Sequence, residues 1–70
     1  MSLGQRIQEL RKQSNLSQEA LGEKLGVSRQ AVSRWEMDGA VPEVDKLIAM
    51  GRLFGVDLNS LLQVAQPGPA

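Results

Sequence analysis

The sequence predicts an all-α fold, a compact bundle of five short helices. Three observations predict it. Apolar residues recur at three- and four-residue spacing in five separate segments. Residues that start helices (Ser17, Ser28, Asp57) and residues that stop them (Asn15, Gly26, Gly55) stand between those segments. Leu leads an apolar fraction of 41% that includes one Phe, one Trp and no Tyr, a poor composition for strands. The chain of 70 residues is roughly half the usual ~150-residue domain, so it holds one small domain or a fragment of something larger, and not two domains. A domain of this size buries only about 60% of the surface its unfolded chain exposes. With no Cys and no His it has no disulfide and no zinc site, so core packing must supply the stability.

Leu3, Ile7, Leu10 and Ser14 share one face, with Arg6, Gln8, Glu9 and Lys12 between them, which predicts an amphipathic helix over residues 3–14. Asn15 tolerates the left-handed conformation that ends it. Ser17 caps a second helix over residues 18–25, with Glu19 at the positive end of its dipole and Ala20, Leu21 and Leu25 inward; Gly26 stops it. Ser28 caps a third over residues 29–36, which buries Ala31, Val32 and Trp35, and a lone Trp at an inward position reads as core. Residues 37–43 carry turn chemistry without periodicity, and Pro42 stands just ahead of the next helix start. Val44, Leu47, Ile48, Gly51 and Phe54 predict a fourth helix, ended by Gly55. Asp57 caps a fifth, whose apolar positions are Leu58, Leu61, Leu62 and Ala65. The domain is thus assigned to residues 1–65, and residues 66–70, Gln-Pro-Gly-Pro-Ala, read as a frayed end or a linker. No internal repeat is visible at this level.

The informative segment is Gln18 to Trp35. Two helices joined through Gly26 and Val27 must cross steeply, which requires a small residue at their closest approach; Gly22 supplies it. Leu21, Leu25, Val27, Val32 and Trp35 face inward and leave Ser28, Arg29, Gln30, Ser33 and Arg34 outside. Side chains on that outer face can donate hydrogen bonds to base edges or phosphates, and none is acidic before Glu36.

The chain resembles the Cro/CI repressor type of helix-turn-helix domain, the Xre family. The resemblance runs from Leu3 to Leu62 through Arg11, Leu16-Ser17-Gln18, Leu21-Gly22, Leu25-Gly26-Val27-Ser28, Val32-Ser33, Glu36, Pro42, Leu47, Phe54-Gly55-Val56 and Leu61-Leu62. It implies a lambda-repressor-like bundle in which helices 2 and 3 form the motif and the helix near residues 28–36 lies in the major groove of double-stranded DNA. The function implied is sequence-specific DNA binding as a bacterial or phage transcriptional regulator, of repressor type. Arg29, Gln30, Ser33 and Arg34 match base-reading positions. Gln30 suits adenine and an arginine suits guanine, each good bidentate pair being worth about 1–3 kcal/mol of discrimination. Gln18, Ser17 and Ser28 match phosphate or positioning contacts at helix N-termini. Arg11 and Glu36 match an internal ion pair of the family. A single module makes a small interface, so the implied partner set is DNA plus a second copy, a homodimer on a two-fold operator. Leu61, Leu62 and Val64 suit either core closure or that dimer.

Two features depart from the family. The loop Met37-Asp38-Gly39-Ala40-Val41 lacks its usual cations, which predicts weak nonspecific affinity. Gly22 and Gly51 replace the common Ala or Ser, and a helix-interior Gly costs about 1 kcal/mol relative to Ala.

Eight basic and eight acidic residues cancel, but residues 1–36 hold six basic against four acidic, and the remainder two against four. The DNA-facing half is therefore mildly basic. The neutral total and the cation-free loop keep a second reading open, a protein-interaction module on the same fold. The sequence predicts no enzyme, cofactor or metal, since it has no His, Cys or phosphate-cradling glycine loop. No run approaches the ~18 apolar residues of a membrane span, so a cytoplasmic protein is expected.

Overall fold

The computed structural model describes residues 2–63 and contains α1 (Leu3–Gln13), α2 (Gln18–Leu25), α3 (Arg29–Glu36), α4 (Val44–Phe54) and α5 (Leu58–Gln63). Among the described residues there is no strand. The all-α expectation holds, and the predicted boundaries of α1 to α4 match to within one residue. The expected domain end at residue 65 and the 66–70 tail lie outside the described residues, as do Val64 and Ala65.

Short polar side chains start four of the five helices because each can accept a hydrogen bond from an otherwise unpaired amide in the first turn, whereas Glu43, the N-cap of α4, makes no such bond. Ser17 Oγ accepts from the Ala20 N–H at 3.0 Å, Ser28 Oγ from Ala31 at 3.1 Å, and Asp57 Oδ1 from Ser60 at 2.6 Å. Ser2 and Gln5 form a reciprocal capping box on α1, which the sequence reading did not anticipate. Ser14, placed there on the apolar face, is instead the exposed C-cap, and Asn15 takes the expected left-handed turn at φ 58°.

The core joins Leu3, Ile7 and Leu10 of α1, Leu21 and Leu25 of α2, Val32 and Trp35 of α3, Leu47 and Met50 of α4, and Leu61 of α5. Burying each such side chain contributes roughly 1.5–3 kcal/mol. Trp35 is core, as expected. Leu61 is completely buried and Leu62 half-buried, so α5 closes the core from its first described turn. The face assigned to α4 needs correction. Val44 and Ile48 are exposed, while Met50, left out of the predicted set, is fully buried. Apolar residues run nearly all round this helix, and its docking against α2 and α5 selects the Leu47–Met50 side.

One local repeat is present after all. The segments Gly22–Ser28 and Gly51–Asp57 fold into the same corner: the Val27 N–H donates to the Gly22 carbonyl at 2.8 Å, and Val56 to Gly51 at 2.9 Å. Gly26 and Gly55 take left-handed φ of 74° and 72°. A Cβ on Gly22 or Gly51 would lie 2.7 Å from the carbonyl oxygen of Val27 or Val56. These two glycines are therefore the residues the corners use, beyond their cost in helix propensity.

Gly4, unremarked in the sequence, is buried where α1 crosses the C-terminal end of α3. A Cβ there would overlap the Trp35 and Glu36 carbonyl oxygens and Asp38 Oδ1. Among the described residues no helix is long and apolar enough to cross a membrane.

Candidate nucleic-acid interface

The α2–α3 corner buries Val32, Trp35 and Glu36 on one side of α3 and turns the opposite side outward. Residues one, two, five and six places along an eight-residue helix share a face, and these are Arg29, Gln30, Ser33 and Arg34. Arg29, Gln30 and Arg34 are exposed, with Ser33 half-buried between them. The four candidate base-reading residues thus form one contiguous donor-rich surface without a carboxylate.

Of the phosphate candidates, Ser17 and Gln18 stand at the N-terminus of α2 and Ser28 at that of α3. Ser17 and Ser28 are the N-caps of α2 and α3, their hydroxyl oxygens already accepting a backbone amide, so each retains its O–H as a donor. The Ser17 cap takes the Ala20 N–H and leaves those of Gln18 and Glu19 to an acceptor outside the helix. An open groove of about 650 Å³ lies in front of them, lined by Arg11, Ser17, Gln18, Glu19 and Arg29. Its helix-dipole potential and Arg29 favour an anion; Glu19 opposes one. The sequence reading credited Glu19 only with supporting the helix start.

Behind this groove Arg11 and Glu36 form the expected pair, 9% and 8% exposed. Arg11 Nε donates to Glu36 Oε2 at 2.6 Å and Nη2 to Oε1 at 3.0 Å, a bidentate geometry. Arg11 Nη1 also donates to the Leu16 carbonyl at 2.9 Å, and Gln18 Nε2 donates to Glu36 Oε1 at 3.1 Å. Gln18, expected as a free phosphate contact, is therefore half-buried and already engaged on one side.

The cation-free loop has structural work instead. Asp38, at φ 60°, accepts the Gly4 N–H on Oδ1 at 3.1 Å and places its charge at the positive end of α1. Sequence reading missed this tie because the partners are far apart in the chain and each alone is unremarkable.

A helix-turn-helix family model matches residues 7–61, a span that contains the α2–α3 corner and most of the core. The chain belongs to this helix-turn-helix family, of Cro/CI repressor type. It is 39% identical over 62 residues to the HTH-type transcriptional activator BcrR of Enterococcus faecalis, covering 89% of this chain and 30% of that protein. The P22 c2 repressor, solved in complex with a synthetic operator, superposes with a TM-score of 0.85 at 32% identity, covering 94% of this chain and 98% of that one. SinR, a master regulator for biofilm formation solved in complex with DNA, gives a TM-score of 0.77 at 31% identity, covering 86% and 97%. These likenesses support the lambda-repressor-like arrangement of the helix-turn-helix. The chain spans about half or less of the length of curated relatives such as BcrR and ImmR of Bacillus subtilis.

Proposed function

We propose that this domain binds double-stranded DNA sequence-specifically as the DNA-reading part of a transcriptional regulator of repressor type, with no catalytic role. The observation that carries the reading is the face of α3: Arg29, Gln30, Ser33 and Arg34 side by side, acid-free, next to an α2 N-terminus open to a phosphate. In this reading α3 enters the major groove, where Gln30 pairs with adenine and Arg29 or Arg34 with guanine. Gln18, Ser17 and Ser28 hold the backbone and set the register. DNA-bound structures of the P22 c2 repressor and SinR support it.

The second copy follows from size. One small module offers roughly 600–1,000 Å² of interface, and specific affinity on a two-fold operator needs two modules reading half-sites about 10 base pairs apart, or multiples of that. Copies on such an operator must meet beside α3, not across it. Val41 and Val44, 74% and 64% exposed, follow the C-terminal end of α3 and offer apolar surface there.

Titration of a labelled duplex across ~50–200 mM salt tests the DNA reading, because phosphate contacts must lose affinity as salt rises. The neutral net charge and the cation-free loop favour the second reading, a protein-interaction module. Absence of duplex binding at the lowest salt would contradict the DNA reading.

A further inference from the structure

The buried ion pair reaches both sides of the α2 N-cap. Arg11 Nη1 donates to the Leu16 carbonyl just before Ser17, and Glu36 Oε1 accepts from Gln18 Nε2 just after it. A primary amide has two N–H donors and one carbonyl acceptor. Glu36 occupies one donor, and its charge excludes the orientation that would turn the Gln18 carbonyl toward it. Glu36 is itself held by two bonds from Arg11, so the amide is fixed by a group that has little freedom to move. Gln18 also lines the groove at the α2 N-terminus. The second N–H of the same amide is left for that groove.

We propose that Glu36 is a positioning residue for DNA binding: it fixes the side chain of Gln18 so that the remaining amide proton meets a backbone phosphate. This rests on the DNA-binding reading above and adds a residue that itself touches no nucleotide. The gain is preorganisation. A long glutamine side chain otherwise loses rotamer freedom when it binds, and here the fold has already ordered it. Because Glu36 ends α3 and Gln18 begins α2, the same bond ties the phosphate contact to the base-reading helix.

The test is a double-mutant cycle on affinity for a random-sequence duplex at ~150 mM salt, at a temperature where circular dichroism shows every variant folded. Its members are the wild type, Gln18→Met, Glu36→Gln and the double variant. Glu36→Gln also uncovers the charge of Arg11, an effect common to both backgrounds, so the readout is the difference between backgrounds. Glu36→Gln should lower affinity about threefold to tenfold more in the wild-type background than beside Gln18→Met. Equal effects in the two backgrounds overturn the positioning role and leave DNA binding standing. No duplex binding by the wild type contradicts DNA binding itself and removes the positioning role with it.

Nuclear magnetic resonance of the wild type gives a readout independent of whether Glu36→Gln folds. Of the two Gln18 side-chain amide protons, one should be protected and unmoved by duplex, the other shifting on duplex addition. Both shifting together, or neither while the duplex is bound, overturns the proposal.

Discussion

Asp38 Oδ1 accepts the amide proton of Gly4 at 3.1 Å, closing the turn after α3 onto the first turn of α1. The contact combines a cap, a charge at the positive end of a helix dipole and a residue that tolerates positive φ. Asp38→Ala loses all three and should cost about 1–2 kcal/mol in urea denaturation, while Asp38→Asn, which keeps the acceptor and the conformation, should cost less than half as much.

Gly4→Ala should also destabilise the fold. Its Cβ meets two backbone carbonyls, and the Glu36 carbonyl oxygen would lie at 2.8 Å, so α1 must move off α3. A loss of about 1–3 kcal/mol is expected, measured by thermal or urea unfolding. A neutral or stabilising result would show that α1 has room to shift.

The ion pair beneath the interface makes a third prediction. Glu36→Ala strands the buried guanidinium of Arg11 and should cost about 3–5 kcal/mol, close to the whole stability of a small domain. Arg11→Met combined with Glu36→Leu should cost less than the sum of the two single changes, because neither partner then remains buried and alone.

Much of this molecule was legible in its sequence, and the exceptions share a cause. Ser17, Gly26, Ser28, Gly55 and Asp57 mark helix ends through local chemistry, so the boundaries followed from those residues together with the apolar spacing. The donor face of α3 followed from the same periodicity. The face of α4 did not: with Val44, Leu47, Ile48, Met50 and Leu53 spread around one helix, only docking decides which side is inside. Gly4 with Asp38, and Gln18 with Glu36, stand 34 and 18 positions apart, and no local pattern signals such contacts. The pairing of Arg11 with Glu36 was accessible only through the family resemblance.

Glu19 lines the groove at the α2 N-terminus as an anion facing the place proposed for a phosphate. Glu19→Gln should tighten duplex binding several-fold at ~50 mM salt, with the gain shrinking toward ~200 mM as screening grows. An unchanged affinity at low salt would place the DNA backbone elsewhere.

The central claim is that the exposed face of α3 reads bases. Selection from a random duplex pool at ~100 mM salt, with sizing of the complex, tests it most directly. The expected result is a two-fold-symmetric motif bound by two copies, with half-sites about 10 base pairs apart or a multiple of that, whose preference relaxes at particular base pairs with Gln30→Ala or Arg34→Ala. Gln18→Ala should weaken all sequences alike. A pool that enriches no motif, or a motif unchanged by both α3 substitutions, would contradict the claim.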